Sequence, residues 1–408
     1  MALASDDPRM LGEIKIGRAF AHGTRERWNV EITFPLDEAK SSHGILRKRY
    51  HWGGRVSLIY KTEKLVVAEV NLEIRNAINA ATHVSNAARR LSYEDVAEVQ
   101  AAFKDVAKAG YSFFSRLIPT SRTANQGWFS DFDVDGDSKE AVLDALHDWL
   151  VDVPVINIVA PEPGLFSWPL LYDVDPNDDD CDHSRFWASR TLRIQPFGTA
   201  SGQSLHQDWR AVTAVETLDH EIGSFGKNHF VDAHPFSEKK DRVNSSEATL
   251  QRCFHRLPEV DIFYFFGHAG MDPGTGWYLA RAGDRISARQ IDELFTKNPC
   301  GQVSPSRPVL VVLNGCDTAG PTKLFETIPF IMARAKKRCF YFLTALAPVP
   351  GWAAAEFAQV FLREFLAGSS LVDSVHQART HLWQEHNSPV GMFYVAEGFH
   401  DLKLRETG

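Results

Sequence analysis

Two stretches decide the fold, VDIFYFFGHAG at residues 260–270 and VLVVLNGCDTAG at residues 309–320. Each begins as a near-continuous apolar run, which is typical of a β-strand covered by helices on both faces. Each run leads into a glycine and then a reactive side chain, His268 in the first and Cys316 in the second. Ligands of open α/β sheets bind beyond the carboxyl ends of the strands. We therefore expect both side chains at one sheet edge, on loops that the glycines allow to turn sharply.

Further strands and helices alternate around these two stretches, and this alternation predicts an α/β fold. Residues 1–90 form a predicted β-rich unit of unknown role, and residues 91–408 contain the α/β part. A strand at 28–34 and a hairpin formed by 55–60 and 64–74 are predicted in the first unit. Other predicted strands are 153–159, 211–216, 229–233 and 339–345, and predicted helices include 91–109, 139–150 and one that contains Phe357, Phe361 and Phe365.

Composition excludes several classes of function. The chain has 408 residues with 44 Lys and Arg against 52 Asp and Glu, a net charge of −8, which argues against a general nucleic-acid binder. The polar, acidic start predicts no export signal, and no apolar run reaches the roughly 20 residues of a membrane helix. Five cysteines without a Cys-x-x-Cys pair are typical of reduced thiols. We expect a cytoplasmic protein that binds neither membrane nor nucleic acid directly.

Metal and cofactor motifs are incomplete. Asp131, Asp133 and Asp135 are spaced like the first ligands of a calcium loop, but Val142 stands where the closing Glu is required. His220-Glu221 lacks the second histidine of a zinc protease motif. No phosphate-binding or dinucleotide-binding glycine pattern is found. The sequence therefore predicts no metal and no cofactor.

His268 and Cys316 together indicate nucleophilic catalysis. A thiol becomes a good nucleophile when an imidazole favours loss of its proton. The histidine lies 48 residues before the cysteine, close to the spacing of about 50 known from caspases.

Around this pair the sequence resembles the CHAT domain family of caspase-like peptidases, over residues 95 to 405. The matching elements are Phe166–Tyr172, Trp277–Ala280 with Ile286-Ser287, Leu371–Arg379 and Pro389–Tyr394. The resemblance implies a caspase-like αβα sandwich with a mostly parallel sheet. It also implies a cysteine endopeptidase in which Cys316 forms a thioester and His268 transfers protons. The backbone N–H groups of Cys316 and of Ala269 or Gly270 would stabilise the oxyanion.

Substrate contacts are predicted at the end of the strand that precedes Cys316 and at the end of the next strand along the chain. In several relatives, the residue two before the nucleophile helps to line the pocket for the residue preceding the cut. The resemblance therefore implies this role for Asn314, whose neutral amide argues against strict Arg or Lys specificity. Asp317 is a second pocket candidate, with a turn role as its alternative. Thr344, Ala345 and Leu346 are candidates for pairing with an extended peptide.

The sequence leaves open both the activity of the domain and the role of residues 1–90. The domain could be a catalytically silent interaction module, or it could act on a substrate other than protein. The predicted partners are a protein substrate and a protein that activates or inhibits the enzyme. The strands of residues 1–90 either regulate activity or extend and cover the main sheet.

Overall fold

The computed structural model describes part of the chain in detail. The described residues are 12–19, 27–35, 55–62, 67–87, 97–120, 123, 129–130, 136–160, 166–177, 181–196, 214–218, 243–244, 249–255, 261–272, 276–281, 283–297, 309–315, 340–398 and 402–403.

Within these residues, fourteen strands join into one sheet. They are β1 (Glu13–Ala19), β2 (Arg27–Pro35), β3 (Arg55–Thr62), β4 (Phe129–Ser130), β5 (Val155–Ala160), β6 (Thr191–Pro196), β7 (Ala214–Leu218), β8 (Val243–Asn244), β9 (Ile262–Asp272), β10 (Gly276–Arg281), β11 (Asp284–Ser287), β12 (Val309–Gly315), β13 (Phe340–Ala345) and β14 (Tyr394–Glu397). The helices are α1 (Val67–Ala87), α2 (Ala97–Leu117), α3 (Gly136–Asp152), α4 (Leu250–His255), α5 (Ala288–Lys297), α6 (Gly351–Leu366) and α7 (Leu371–His386).

The strand order along the sheet is β11-β10-β9-β12-β13-β14-β6-β5-β1-β2-β3-β4, and β7 pairs with β8 and β9. Parallel pairing joins β9 to β12, β12 to β13, β14 to β6, β6 to β5 and β5 to β1. Antiparallel strands are added at both ends of the sheet, and β13 and β14 are also antiparallel. The α/β fold with a large, mostly parallel sheet is confirmed.

Alternate side chains of the central strands point into two separate cores. Along β9, Tyr264 and Phe266 belong to one core, and Phe263 and Phe265 belong to the other. The first core includes the apolar faces of α6 and α7, and the second includes residues of α4 and α5. Helices therefore cover both faces of the sheet, which explains why these strands are apolar almost without interruption. The predicted αβα sandwich is confirmed.

The N-terminal strands continue the main sheet. β1 pairs in parallel with β5, with Glu13 opposite Asn157, and the side chains of Ile14 and Ile16 are buried in the first core. The sheet and the core are thus continuous across the predicted boundary at residue 90. This arrangement corresponds to the structural alternative, in which the strands extend the sheet.

The predicted second strand of the hairpin at 64–74 is wrong, because α1 begins at Val67. Val70, Ile74 and Ile78 are spaced four residues apart and are all buried, while Leu72 between them is 56% exposed. This spacing places the apolar side chains on one face of a helix, and burial of that face outweighs the strand preference of β-branched residues.

Most of the other predicted elements are present with shifted ends. The strand predicted at 211–216 is β7, the helix predicted at 91–109 is α2, and 229–233 lies outside the described residues. At the start of α5, the Ser287 N–H donates to Gln290 Oε1 at 2.8 Å, and the Gln290 N–H donates to Ser287 Oγ at 3.2 Å. This reciprocal pair is a capping box, which the Ser-Ala-Arg-Gln sequence of residues 287–290 predicts. Among the described helices, none is both long and apolar enough to cross a membrane.

Candidate active site

The two strands that precede the reactive residues lie side by side. β9 and β12 are parallel neighbours, and their last paired residues are Gly267 and Gly315. His268 follows Gly267 directly and is exposed, whereas the strand before it is buried. Cys316 follows Gly315 directly in the sequence, and both Cys316 and Asp317 lie outside the described residues. The predicted common sheet edge is therefore confirmed for the strand ends.

The histidine is carried by a hairpin, so the predicted sharp turn after Gly267 is wrong. β9 continues to Asp272 and pairs with β10, with His268 opposite Ala280. Gly267 is needed for close packing: a Cβ there would lie 2.7 Å from the Ala280 carbonyl oxygen and 2.7 Å from the Phe265 ring. The glycine thus lets β9 change partners without a break in the strand.

Charged and aromatic contacts hold this hairpin. The Arg285 guanidinium lies 3.6 Å from the centroid of the Tyr278 ring, and its Nη2 is 3.2 Å from Asp272 Oδ2. Ala269 and Gly270, the predicted oxyanion donors, are half-buried in β9 opposite Leu279 and Tyr278. Their role as donors stays a prediction.

The Asn314 amide is buried and hydrogen-bonded on both sides. Its Nδ2 donates to the Ala354 carbonyl at 2.8 Å and to Tyr264 Oη at 3.3 Å. Its Oδ1 accepts from the Tyr394 hydroxyl at 2.6 Å. These bonds tie the end of β12 to β9, to β14 and to α6.

This network bears on the predicted role of Asn314 as a residue that contacts substrate. The side chain is 3% exposed, so a substrate could reach it only by displacing one of these partners. Its predicted contact with substrate stays a prediction. Sequence reasoning missed Tyr264 and Tyr394, whose only signal was a hydroxyl group among mostly apolar neighbours.

The predicted peptide-pairing residues are also buried. Thr344 in β13 lies between Leu313 of β12 and Val395 of β14, and Ala345 lies opposite Tyr394. The Leu346 N–H donates to the Phe393 carbonyl at 2.8 Å. β14 thus occupies one side of this segment, so a substrate strand on that side would have to displace it. Peptide pairing at these three residues stays a prediction.

A comparison with family models identifies the region that contains this site. Residues 201–398 match the CHAT domain model. This part of the chain is a CHAT domain. The match includes β9, β10 and β12, and with them His268 and Cys316. It is shorter than the region of resemblance that the sequence motifs suggested.

Similar solved structures include two of very low sequence identity to this chain. The complex of Porphyromonas gingivalis RgpB pro- and mature domains is 9% identical, with 64% of this chain and 70% of that chain covered and a TM-score of 0.41. The Saccharomyces cerevisiae separase–securin complex is 12% identical, with 97% of this chain and 30% of that chain covered and a TM-score of 0.47. The search among curated proteins found no match.

Proposed function

We propose that the CHAT domain is a cysteine endopeptidase that uses His268 and Cys316 as a catalytic dyad. The observation that carries the proposal is the parallel register of Gly267 with Gly315. Neighbouring strands are about 4.8 Å apart, and consecutive Cα atoms are about 3.8 Å apart. Because His268 and Cys316 directly follow these two glycines in the sequence, chain connectivity keeps their Cα atoms within at most about 12 Å, and the shorter separations in this range allow the two side chains to meet.

Cys316 supplies the nucleophile and His268 moves the proton. The thiol gives its proton to the imidazole, and sulfur bonds to the carbonyl carbon of the scissile peptide. The C–N bond then breaks, and the departing amine takes the proton from His268. Water hydrolyses the thioester and regenerates the thiol. During both steps, the N–H groups of Cys316 and of Ala269 or Gly270 stabilise the oxyanion.

The substrate is a protein segment in an extended conformation. Asn314 and Asp317 border the position of the nucleophile in the sequence, and the neutral amide of Asn314 disfavours a strict Arg or Lys requirement. The segment from Thr344 to Leu346 is the candidate for main-chain contact with substrate. A protein partner would control the cytoplasmic enzyme by setting the population in which the loops after β9 and β12 are correctly placed.

Covalent labelling tests the assignment of the nucleophile. We expect a peptide with a thiol-reactive warhead to label the wild-type chain and not to label Cys316→Ala. His268→Ala should be labelled more slowly than the wild-type chain. Cys253→Ala is the matched control, because Cys253 is buried in the second core and should contribute nothing to labelling.

Cleavage of lysate proteins separates an enzyme from a silent module. The wild-type chain should generate new protein termini that Cys316→Ala does not generate. Labelling that persists in Cys316→Ala would refute the dyad, and labelling without any Cys316-dependent cleavage would favour the interaction module.

A further inference from the structure

A cluster of possible metal ligands lies outside the candidate active site, where α6 and α7 pack against each other. α7 follows α6 after a short connection, so the start of α6 lies beside the end of α7. Glu356 of α6 faces His381 and His386 of α7 across this interface. His381 Nε2 is 2.8 Å from Glu356 Oε1, and His386 Nε2 is 3.8 Å from the same oxygen.

We propose that Glu356, His381 and His386 bind a divalent first-row transition metal of the Zn²⁺ type. One ligand atom from each residue lies within 4.8 Å of the other two. Tetrahedral Zn²⁺, with bonds of about 2.0–2.1 Å, places its ligand atoms about 3.4 Å apart. The observed separations lie on both sides of this value, so small side-chain rotations would bring the three atoms into coordination.

The donor set determines which ions fit. Two imidazoles and one carboxylate suit zinc, copper, nickel or iron, whereas Ca²⁺ and Mg²⁺ require mostly oxygen ligands. Two histidines and one glutamate also form a common zinc set that leaves a fourth position for water. The site is open to solvent, because the side chains of His381, Glu356 and His386 are 28%, 35% and 37% exposed.

Packing already holds the ligands close to this arrangement. The rings of His381 and His386 are 5.7 Å apart at 75°, and Trp352, one turn before Glu356, packs edge-on against His386 at 5.4 Å. An ion would replace the single His381–Glu356 hydrogen bond with three coordination bonds, one to α6 and two to α7. Ala354, whose carbonyl binds Asn314, is two residues before Glu356, so the site lies close to the end of β12.

The spacing of the three ligands in the sequence did not predict this site. Glu356 is 25 residues from His381, and the two histidines are five residues apart, unlike the four-residue spacing of zinc protease helices. Only the packing of α6 on α7 brings the three side chains together.

The test is a titration of metal-free, full-length Cys316→Ala protein with Zn²⁺ by calorimetry, followed by Co²⁺ as a spectroscopic probe. The Cys316→Ala background removes the active-site thiol as a competing ligand. We expect one Zn²⁺ per chain, and a tetrahedral Co²⁺ spectrum without the charge-transfer band of a thiolate ligand. Zn²⁺ should also raise the unfolding temperature, because it binds the folded chain.

Ligand variants localise the ion. Glu356→Gln and His386→Gln should each weaken Zn²⁺ binding by about tenfold or more, whereas the exposed His255→Gln should leave it unchanged. Glu356→Gln keeps a hydrogen-bond acceptor for His381, so loss of binding with an unchanged fold would reflect loss of the ligand. The absence of stoichiometric binding to the parent protein would overturn the proposal, as would equal binding to all three variants. Neither outcome bears on the His268–Cys316 dyad.

Discussion

Replacement of Asn314 by Leu should destabilise the fold by about 3–4 kcal/mol. Leu has the same branched shape and number of side-chain heavy atoms as Asn but removes all three hydrogen bonds of the amide, each with a net contribution of about 1 kcal/mol, and it leaves polar partners facing an apolar side chain. Tyr394→Phe removes the 2.6 Å bond to Asn314 Oδ1 and should cost about 1–2 kcal/mol.

A double-mutant cycle measured by urea unfolding isolates the Asn314–Tyr394 interaction. Because both single variants break the same hydrogen bond, the double variant should be about 1–2 kcal/mol more stable than the sum of the single effects predicts. Tyr60→Phe is the matched control: Tyr60 in β3 also loses one buried hydroxyl bond, at 2.7 Å to the Leu117 carbonyl. Its effect should add to that of Asn314→Leu within about 0.5 kcal/mol.

The cycle also distinguishes two roles of Asn314. If the amide positions the end of β12, Tyr394→Phe should lower kcat without a change in preference for the residue before the cut. Additive effects of Asn314→Leu and Tyr394→Phe would refute the positioning role. A stable Asn314→Leu protein with altered substrate preference would instead favour direct contact with substrate.

Three further predictions concern single features. Burial lowers the pKa of His183 from its usual 6.5 to about 4, so the unfolded chain gains this proton first as the pH falls. Stability should therefore decrease by up to about 3 kcal/mol between pH 6.5 and 4, and the decrease measured by chemical unfolding should be smaller by that amount in His183→Phe; equal pH profiles would contradict this. Gly267→Ala should destabilise the fold by more than 1 kcal/mol and reduce peptidase activity, because the added Cβ would lie 2.7 Å from the Ala280 carbonyl oxygen. Gly270→Ala should be milder, because its Cβ would meet the end of the Tyr278 side chain at 2.8 Å. The reverse order of stabilities in unfolding assays would be inconsistent with the close packing at Gly267. A chain that starts near Leu91 lacks β1–β3 and exposes the edge of β5, so it should aggregate on size-exclusion chromatography; a soluble, more active truncated chain would support the regulatory alternative.

The central strands could be predicted from the sequence because burial on both faces requires apolar residues in the strand itself. Most residues of a strand covered on both faces are apolar, so β9, β12 and β13 each contain a near-continuous apolar run. The capping box at Ser287 and Gln290 could be predicted for a similar reason, since its two hydrogen bonds join residues three positions apart. The same apolar runs showed that His268 and Cys316 each follow a strand of the buried type.

The sequence pattern was ambiguous where the same apolar residues fit both the period of a strand and the period of a helix. In 64–74, apolar residues fit an alternating strand over a short window, and only contact of Val70 and Ile74 with the core makes α1 a helix. Gly267 is a second case, because a glycine is compatible both with a turn and with a strand that needs close packing. The position of the Ala280 carbonyl decides between them.

Tertiary structure alone decided which distant side chains meet. The partners of Asn314 are 40, 50 and 80 residues away in the sequence, and Glu356 meets His381 across two helices. These contacts depend on the order of the strands and on the packing of α6 against α7. A hydrogen bond or a metal ligand set requires atoms within a few ångströms, and sequence spacing specifies such distances only within one turn or one element. The sequence therefore determined the sheet core and the candidate dyad, whereas the packing of the elements determined the network around Asn314 and the cluster at Glu356.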